Sequence, residues 1–213
     1  PVSFGAQIFG DRPDLRFNDG RTDAQGHFWV GSVNTAKAAQ DAALFRLDGD
    51  GTITLIENTM MTCNGAAFSA DGRRFCHTDT PTHMLRIYDV DASGRALTNR
   101  RIFHAFPQGQ GRPDGGSFDQ QGYYWTALFD GGRVVRLSPD GTITQEVVLP
   151  ALRPTMIAFG GDDLCTAYVT SARIGLTPEQ LAGQPLAGAV FSFRVDTPGV
   201  PEHPFVMCQG DSA

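Results

Sequence analysis

Three polar residues recur at nearly even spacing along this chain, and their side chains suit a metal ion. Asn18, Asn64 and Asp114 stand 46 and 50 residues apart, and Thr155 follows 41 residues later. Five positions after each of the first three comes Asp23, Ser69 or Asp119, and three further on a glycine, Gly26, Gly72 or Gly122. Aromatic residues then open the next segment: Phe28-Trp29, Phe75 and Tyr124-Trp125. Phe68, Phe118 and Phe159 share a further equivalent position. A structural repeat carries equivalent side chains to equivalent places, so two amides and a carboxylate converge if the repeat is real. Such oxygens suit a hard divalent cation such as Ca²⁺ or Mg²⁺. Each residue alone reads as a turn former, since Asn-Gly and Asp-Gly are common turn dipeptides. Three in register read as a site.

The elements that must position them follow from the period. A repeat of about 40–50 residues built from short strands and turns is the signature of a β-propeller. Each unit carries a later hairpin. Leu44–Leu47 leads through Asp48-Gly49-Asp50-Gly51 to Thr52–Ile56, and Arg133–Leu137 leads through Pro139-Asp140-Gly141 to Thr142–Thr144. Alternating apolar and polar residues around an Asp-Gly turn predict strands with one buried face. The first strand of a propeller blade lines the central channel, which aims the recurrent residues at one axis. One short helix is expected near Leu176–Leu181, with Thr177 as N-cap and Pro178 at the first helical position. The fold class is therefore all-β, a single β-propeller domain over residues 1–213. It holds about four to five blades' worth of chain, with the N-terminal blade or blades expected to lie upstream.

Composition narrows the function. The 213 residues carry a net charge of -6 without a basic stripe, so no nucleic-acid partner is expected. No run approaches the ~18 apolar residues of a membrane span. The opening Pro1-Val2-Ser3-Phe4-Gly5 lacks the charged and apolar regions of a signal peptide and has no initiator Met. Cys63, Cys76, Cys165 and Cys208 form no C-x-x-C pair and read as buried free thiols of a cytoplasmic protein. The five histidines show no metal-binding spacing, Ser171 and Ser192 lack the G-x-S-x-G elbow, and no glycine loop matches a nucleotide site.

The runs Arg16-Phe17-Asn18-Asp19-Gly20, Asn64-Gly65, Arg112-Pro113-Asp114-Gly115 and Gly131-Gly132-Arg133-Val134, closing with Phe159-Gly160-Gly161 and Tyr168–Arg173, span nearly the whole chain. In this order they resemble the regucalcin (senescence marker protein)/gluconolactonase family of sugar lactonases. The resemblance implies a six-bladed propeller with one divalent metal, Ca, Zn, Mg or Mn, in its channel. It carries the family's metal ligands onto Asn64 and Asp114 and its substrate contacts onto Arg16 and Asn18. It also marks two departures. The family's glutamate ligand near the N-terminus precedes this chain, and the family's acidic residues after the second strand are here Ser32-Val33-Asn34-Thr35-Ala36-Lys37.

The expected reaction is hydrolysis of a small sugar lactone, with Asp114 as metal ligand and general base. A carboxylate beside a cation has a lowered pKa, so a water on that cation is the alternative source of hydroxide. Two other classes fit the same pattern: a non-catalytic propeller binding calcium or a partner, and a metal-free enzyme similar to strictosidine synthase.

Overall fold

The computed structural model describes residues 7–208; the expectation that the opening Pro1–Gly5 is no signal peptide falls outside them. Fifteen strands form four separate antiparallel sheets. Blade I comprises β1 (Leu15–Thr22), β2 (Phe28–Asn34), β3 (Ala42–Leu47) and β4 (Ile53–Met60). Blade II comprises β5 (Cys63–Phe68), β6 (Arg74–Asp79), β7 (Met84–Val90) and β8 (Leu97–Ala105). Blade III comprises β9 (Arg112–Phe118), β10 (Tyr124–Phe129), β11 (Arg133–Leu137) and β12 (Ile143–Val148). Blade IV comprises β13 (Pro154–Gly160), β14 (Thr166–Ser171) and β15 (Val190–Arg194). Strand order within every blade follows the sequence, and the first strands β1, β5, β9 and β13 lie side by side in succession. This is the expected propeller arrangement, present as four blades.

The hairpins predicted at 44–56 and 133–144 are β3–β4 and β11–β12. The predicted helix is α1 (Pro178–Ala182), in the loop between β14 and β15. Its Thr177 hydroxyl accepts from the Gln180 amide and the Gln180 side chain accepts from Thr177 N–H, a capping box that satisfies the first turn.

Cores lie in the seams between blades. Trp29, Phe68 and Phe75 fill the seam between blades I and II, and Phe103, Phe118 and Tyr124 that between II and III. Trp125, Ile157 and Val169 fill the seam between III and IV. Truncating such an aromatic to alanine costs about 3–5 kcal/mol. The recurrent Asp23 and Asp119 belong to this packing. Each accepts the indole N–H of the tryptophan six residues on, Trp29 at 2.8 Å and Trp125 at 3.1 Å, while its other oxygen takes turn amides.

The four cysteines are free thiols, as expected, but only Cys63 and Cys76 are buried; Cys165 is half-buried and Cys208 exposed. The difference has a clear cause. Cys208 sits in the segment after blade IV, which runs back beneath the blades as an extended strap. Gly199 N–H donates to Leu164 O and Val200 N–H to Phe118 O, and Val206 and Cys208 reach blade I through Gly26 O and Gly49 O. Among the described residues, no helix is long and apolar enough to cross a membrane.

Candidate active site

The recurrent residues sit where the ladder of each first strand is broken. In β1 the register shifts between Phe17 and Gly20, so Asn18 and Asp19 together oppose Gly31. In β9 it shifts across Asp114 and Gly115, and in β5 immediately after Asn64. Thr155 occupies the corresponding irregularity in β13. A β-bulge leaves a residue unpaired, bends the strand and re-aims its side chain. The same irregularity recurs in each first strand, but only Asn64 and Asp114 of the four line a common cleft.

Asn18 and Asn64 touch. Asn18 Nδ2 donates to Asn64 Oδ1 at 2.6 Å and to Cys63 O at 2.9 Å. Asn64 Nδ2 donates to Thr80 Oγ1 at 2.8 Å, and that hydroxyl donates to Pro113 O at 2.9 Å. A hydrogen-bonded line thus runs from blade I through blade II to the residue preceding Asp114 in blade III. It also fixes the Asn64 amide, because the nitrogen faces Thr80 and leaves the oxygen on the Asn18 side. Arg16 is exposed beside them, its guanidinium donating to Asn18 Oδ1 at 3.1 Å and Phe17 O at 2.8 Å.

Asn64 and Asp114 line one cleft of about 390 Å³, together with Lys37, Thr62, Thr80, Arg112 and Phe129. Thr155 is not among its walls; its hydroxyl pairs with that of Thr170 at 2.8 Å. Close backbone approach between blades II and III depends on Gly65. Its φ of +66° is left-handed, and a Cβ there would lie 2.6 Å from Tyr124 Oη and 2.9 Å from Asp114 O. The Tyr124 hydroxyl donates to Gly65 O at 2.8 Å, fastening the Asn64 turn to blade III.

The electrostatics single out Asp114. Burial pushes its carboxyl up to about 7, and the neighbouring Asp19 charge adds to the shift; Arg112 and Lys37 oppose it. Among the described residues its carboxylate has no side-chain hydrogen bond or ion pair. Asp19 is also raised by burial, although Arg21 and the Ala66 amide, 3.0 Å from Asp19 Oδ2, favour its charge. Arg21 spans three blades from below, donating to Ala66 O at 3.1 Å and Gly116 O at 2.9 Å and pairing with Glu202 of the strap.

These groups suit a hard divalent cation. A half-buried carboxylate stands in one cleft with the Asn64 side chain, whose amide oxygen also accepts from Asn18, and both groups offer oxygen. Among the described residues, no three His, Cys, Asp or Glu side chains cluster closely enough to hold a metal by themselves. Asp114 and the amide of Asn64 are the residues that would hold such a cation.

Sequence reasoning missed Asp19, Lys37, Thr80, Arg112 and Arg21 as parts of this neighbourhood. Asp19 and Arg112 lay inside the recurrent motifs and were masked by their neighbours. Thr80 and Lys37 come from loops outside the repeat, where periodicity gives no signal.

Comparison with known proteins gives a consistent result. The family model described as the SMP-30/Gluconolactonase/LRE-like region matches residues 2–173. A 6-deoxy-6-sulfogluconolactonase of Pseudomonas putida is 46% identical over 188 residues, covering 88% of this chain and 64% of that protein. Regucalcin of Danio rerio is 37% identical, covering 92% of this chain and 68% of its own length. Among solved structures, the calcium-binding protein regucalcin from Agrobacterium tumefaciens superposes with a TM-score of 0.89 at 26% identity. It covers 94% of this chain and 68% of that one. The chain thus spans about two thirds of the length of these relatives.

Proposed function

Because the chain belongs to the SMP-30/gluconolactonase/LRE-like family, we propose that it hydrolyses a sugar lactone with the help of a divalent cation held by Asn64 and Asp114. One observation carries this reading. The Asn64 side chain and the Asp114 carboxylate line one cleft, and Asn18 donates to the Asn64 oxygen at 2.6 Å. Names among the relatives support the substrate class, one of them specifying a sulfonated gluconolactone. The oxygen donors favour Ca²⁺, Mg²⁺ or Mn²⁺ over Zn²⁺.

The reaction adds water oxygen to the lactone carbonyl carbon and breaks the ring C–O bond, giving the open hydroxy acid. A bound cation supplies Lewis-acid polarisation of that carbonyl and charge to stabilise the oxyanion. Asp114 takes the proton from the attacking water at its carboxylate, and the proton returns to the ring oxygen as it leaves. Arg16 and Asn18 hold substrate hydroxyl oxygens, Asn18 being braced by Asn64 and by the Cys63 carbonyl. The four free thiols support a reducing compartment, the cytoplasm.

The test is turnover of glucono-1,5-lactone. Removing metal with chelator, or replacing Asp114 by Ala, lowers kcat/KM by at least about 100-fold, the range expected when charge stabilisation or a general base is lost. Full activity under either condition sinks the proposal. Saturable cation binding without turnover would favour a binding propeller instead.

A further inference from the structure

We propose that the cleft takes a lactone bearing an anionic substituent, a sulfonate, phosphate or carboxylate remote from the reacting carbonyl, and that Lys37 selects it. The inference rests on the lactonase reading above and names its substrate class.

Lys37 lies in the loop after β2 and lines the same cleft as Asn64 and Asp114. Its ammonium donates to the Thr62 hydroxyl, and among the described residues it has no carboxylate within ion-pair distance. The nearest carboxylates are otherwise engaged. Asp79 is buried and accepts the Met61 and Thr62 amides at 3.1 and 2.8 Å. Asp130 is shared by Arg112 and Arg153. Asp114 is the remaining acid in the cleft, and it is the group assigned to the cation.

The backbone places this amine by design of the loop. Lys37 has a φ of 55°, a left-handed conformation that costs a non-glycine residue about 1–2 kcal/mol. Lys37 N–H donates to Asn34 O at 3.1 Å. Asn34 N–H in turn donates to Met61 O at 3.0 Å, and Thr35 N–H to Asp14 O at 2.7 Å. The loop is therefore tied to blade II across the cleft mouth and carries its strain at the point where the side chain turns inward.

Lys37 is not alone. Partial burial lowers the pKa of its ammonium against the pull of Asp79, and the charges of Arg112 and Arg16 lower it further. Two cations, Lys37 and Arg112, thus line one cleft whose lining carries Asp114 as its acid, and Arg112 is already paired with Asp130. Of the two, Lys37 is the one with no ion-pair partner among the described residues, which favours an anion beside it. A sugar ring held at its carbonyl end near Asn64 and Asp114 turns its far carbon toward the mouth, where an oxyanion would meet Lys37.

The experiment compares glucono-1,5-lactone with its 6-sulfo and 6-phospho analogues, using the 213-residue chain supplied with divalent cation. The wild type should favour the anionic lactones. In Lys37→Met the anionic-to-neutral ratio of kcat/KM should fall by about 10–100-fold, the loss expected for a charge-assisted hydrogen bond. Lys37→Arg should restore most of it. A wild-type ratio at or below one, or a ratio unmoved in Lys37→Met, overturns the inference. Calorimetric binding of 6-phosphogluconate against gluconate decides the same question without turnover. If no lactone is hydrolysed, the lactonase reading fails. A preference for 6-phosphogluconate that disappears in Lys37→Met still upholds the anion site, and equal binding of the two acids refutes it.

Discussion

Asp114 pays for its position in stability. Its carboxyl is pushed up to about 7 from an ordinary 3.8, so ionising it in the fold is unfavourable. The penalty is absent below pH 3.8, grows as pH rises, and is complete above about 7. A cation bound there, as proposed, would remove it by supplying the missing positive charge. In chelated protein, Asp114→Asn should therefore raise stability at pH 8 by up to about 4 kcal/mol and have little effect near pH 3.8. Urea unfolding of both forms at the two pH values checks this. A variant less stable than wild type at pH 8 would show that Asp114 is compensated in some other way. Asn64 is a different case, because its amide is held on both sides by Asn18 and Thr80 and can present its oxygen only one way.

At the scale of elements, the seams between blades decide whether these side chains meet. The seam between blades I and II contains a polar group, the half-buried Glu57 of β4 with the buried His77 and Tyr88 of blade II. Tyr88 Oη donates to Glu57, His77 Nε2 lies 3.1 Å from Tyr88 Oη, and Arg100 pairs with Glu57 at 2.8 Å. Burial alone would raise the Glu57 carboxyl, but hydrogen bonds from His77 and Tyr88, with the Arg100 pair, hold it down at about 2. Its stabilisation is fully present above pH 4.5 and is lost as pH falls toward 2. Glu57→Gln should cost roughly 1–3 kcal/mol at pH 7, with the gap to wild type closing between pH 4.5 and 2 in thermal unfolding. A gap constant over that range would assign the cost to packing rather than charge. The blade repeat and the hairpins were legible in the sequence because a repeat prints the same residue types at the same offsets. The bulges were not, since an Asn-Gly or Asp-Gly pair looks alike in a turn and in a broken ladder. Thr80, Lys37 and the Glu57 cluster come from non-repeating segments and depend on contacts between blades that local pattern does not encode.

Across the described residues, four blades stand side by side, and the strap links blades III and IV to blade I through Gly199, Val200, Val206 and Cys208. Arg21 joins the strap to the inner strands from below, while the Asn18–Asn64–Thr80 line joins them at the site. The cleft is therefore a product of blade placement, with each blade supplying one or two groups that do nothing alone. Four blades are also two thirds of the six that the family resemblance implies, the same share that the chain covers of its relatives. The account as a whole depends on Asn64 and Asp114 holding a cation between them. Calorimetric titration of the chelated chain with Ca²⁺, Mn²⁺ and Mg²⁺, beside Asp114→Asn, tests that directly. The expected result is one saturable site per chain, abolished in the variant; no saturable binding, or binding undiminished in the variant, would contradict the account.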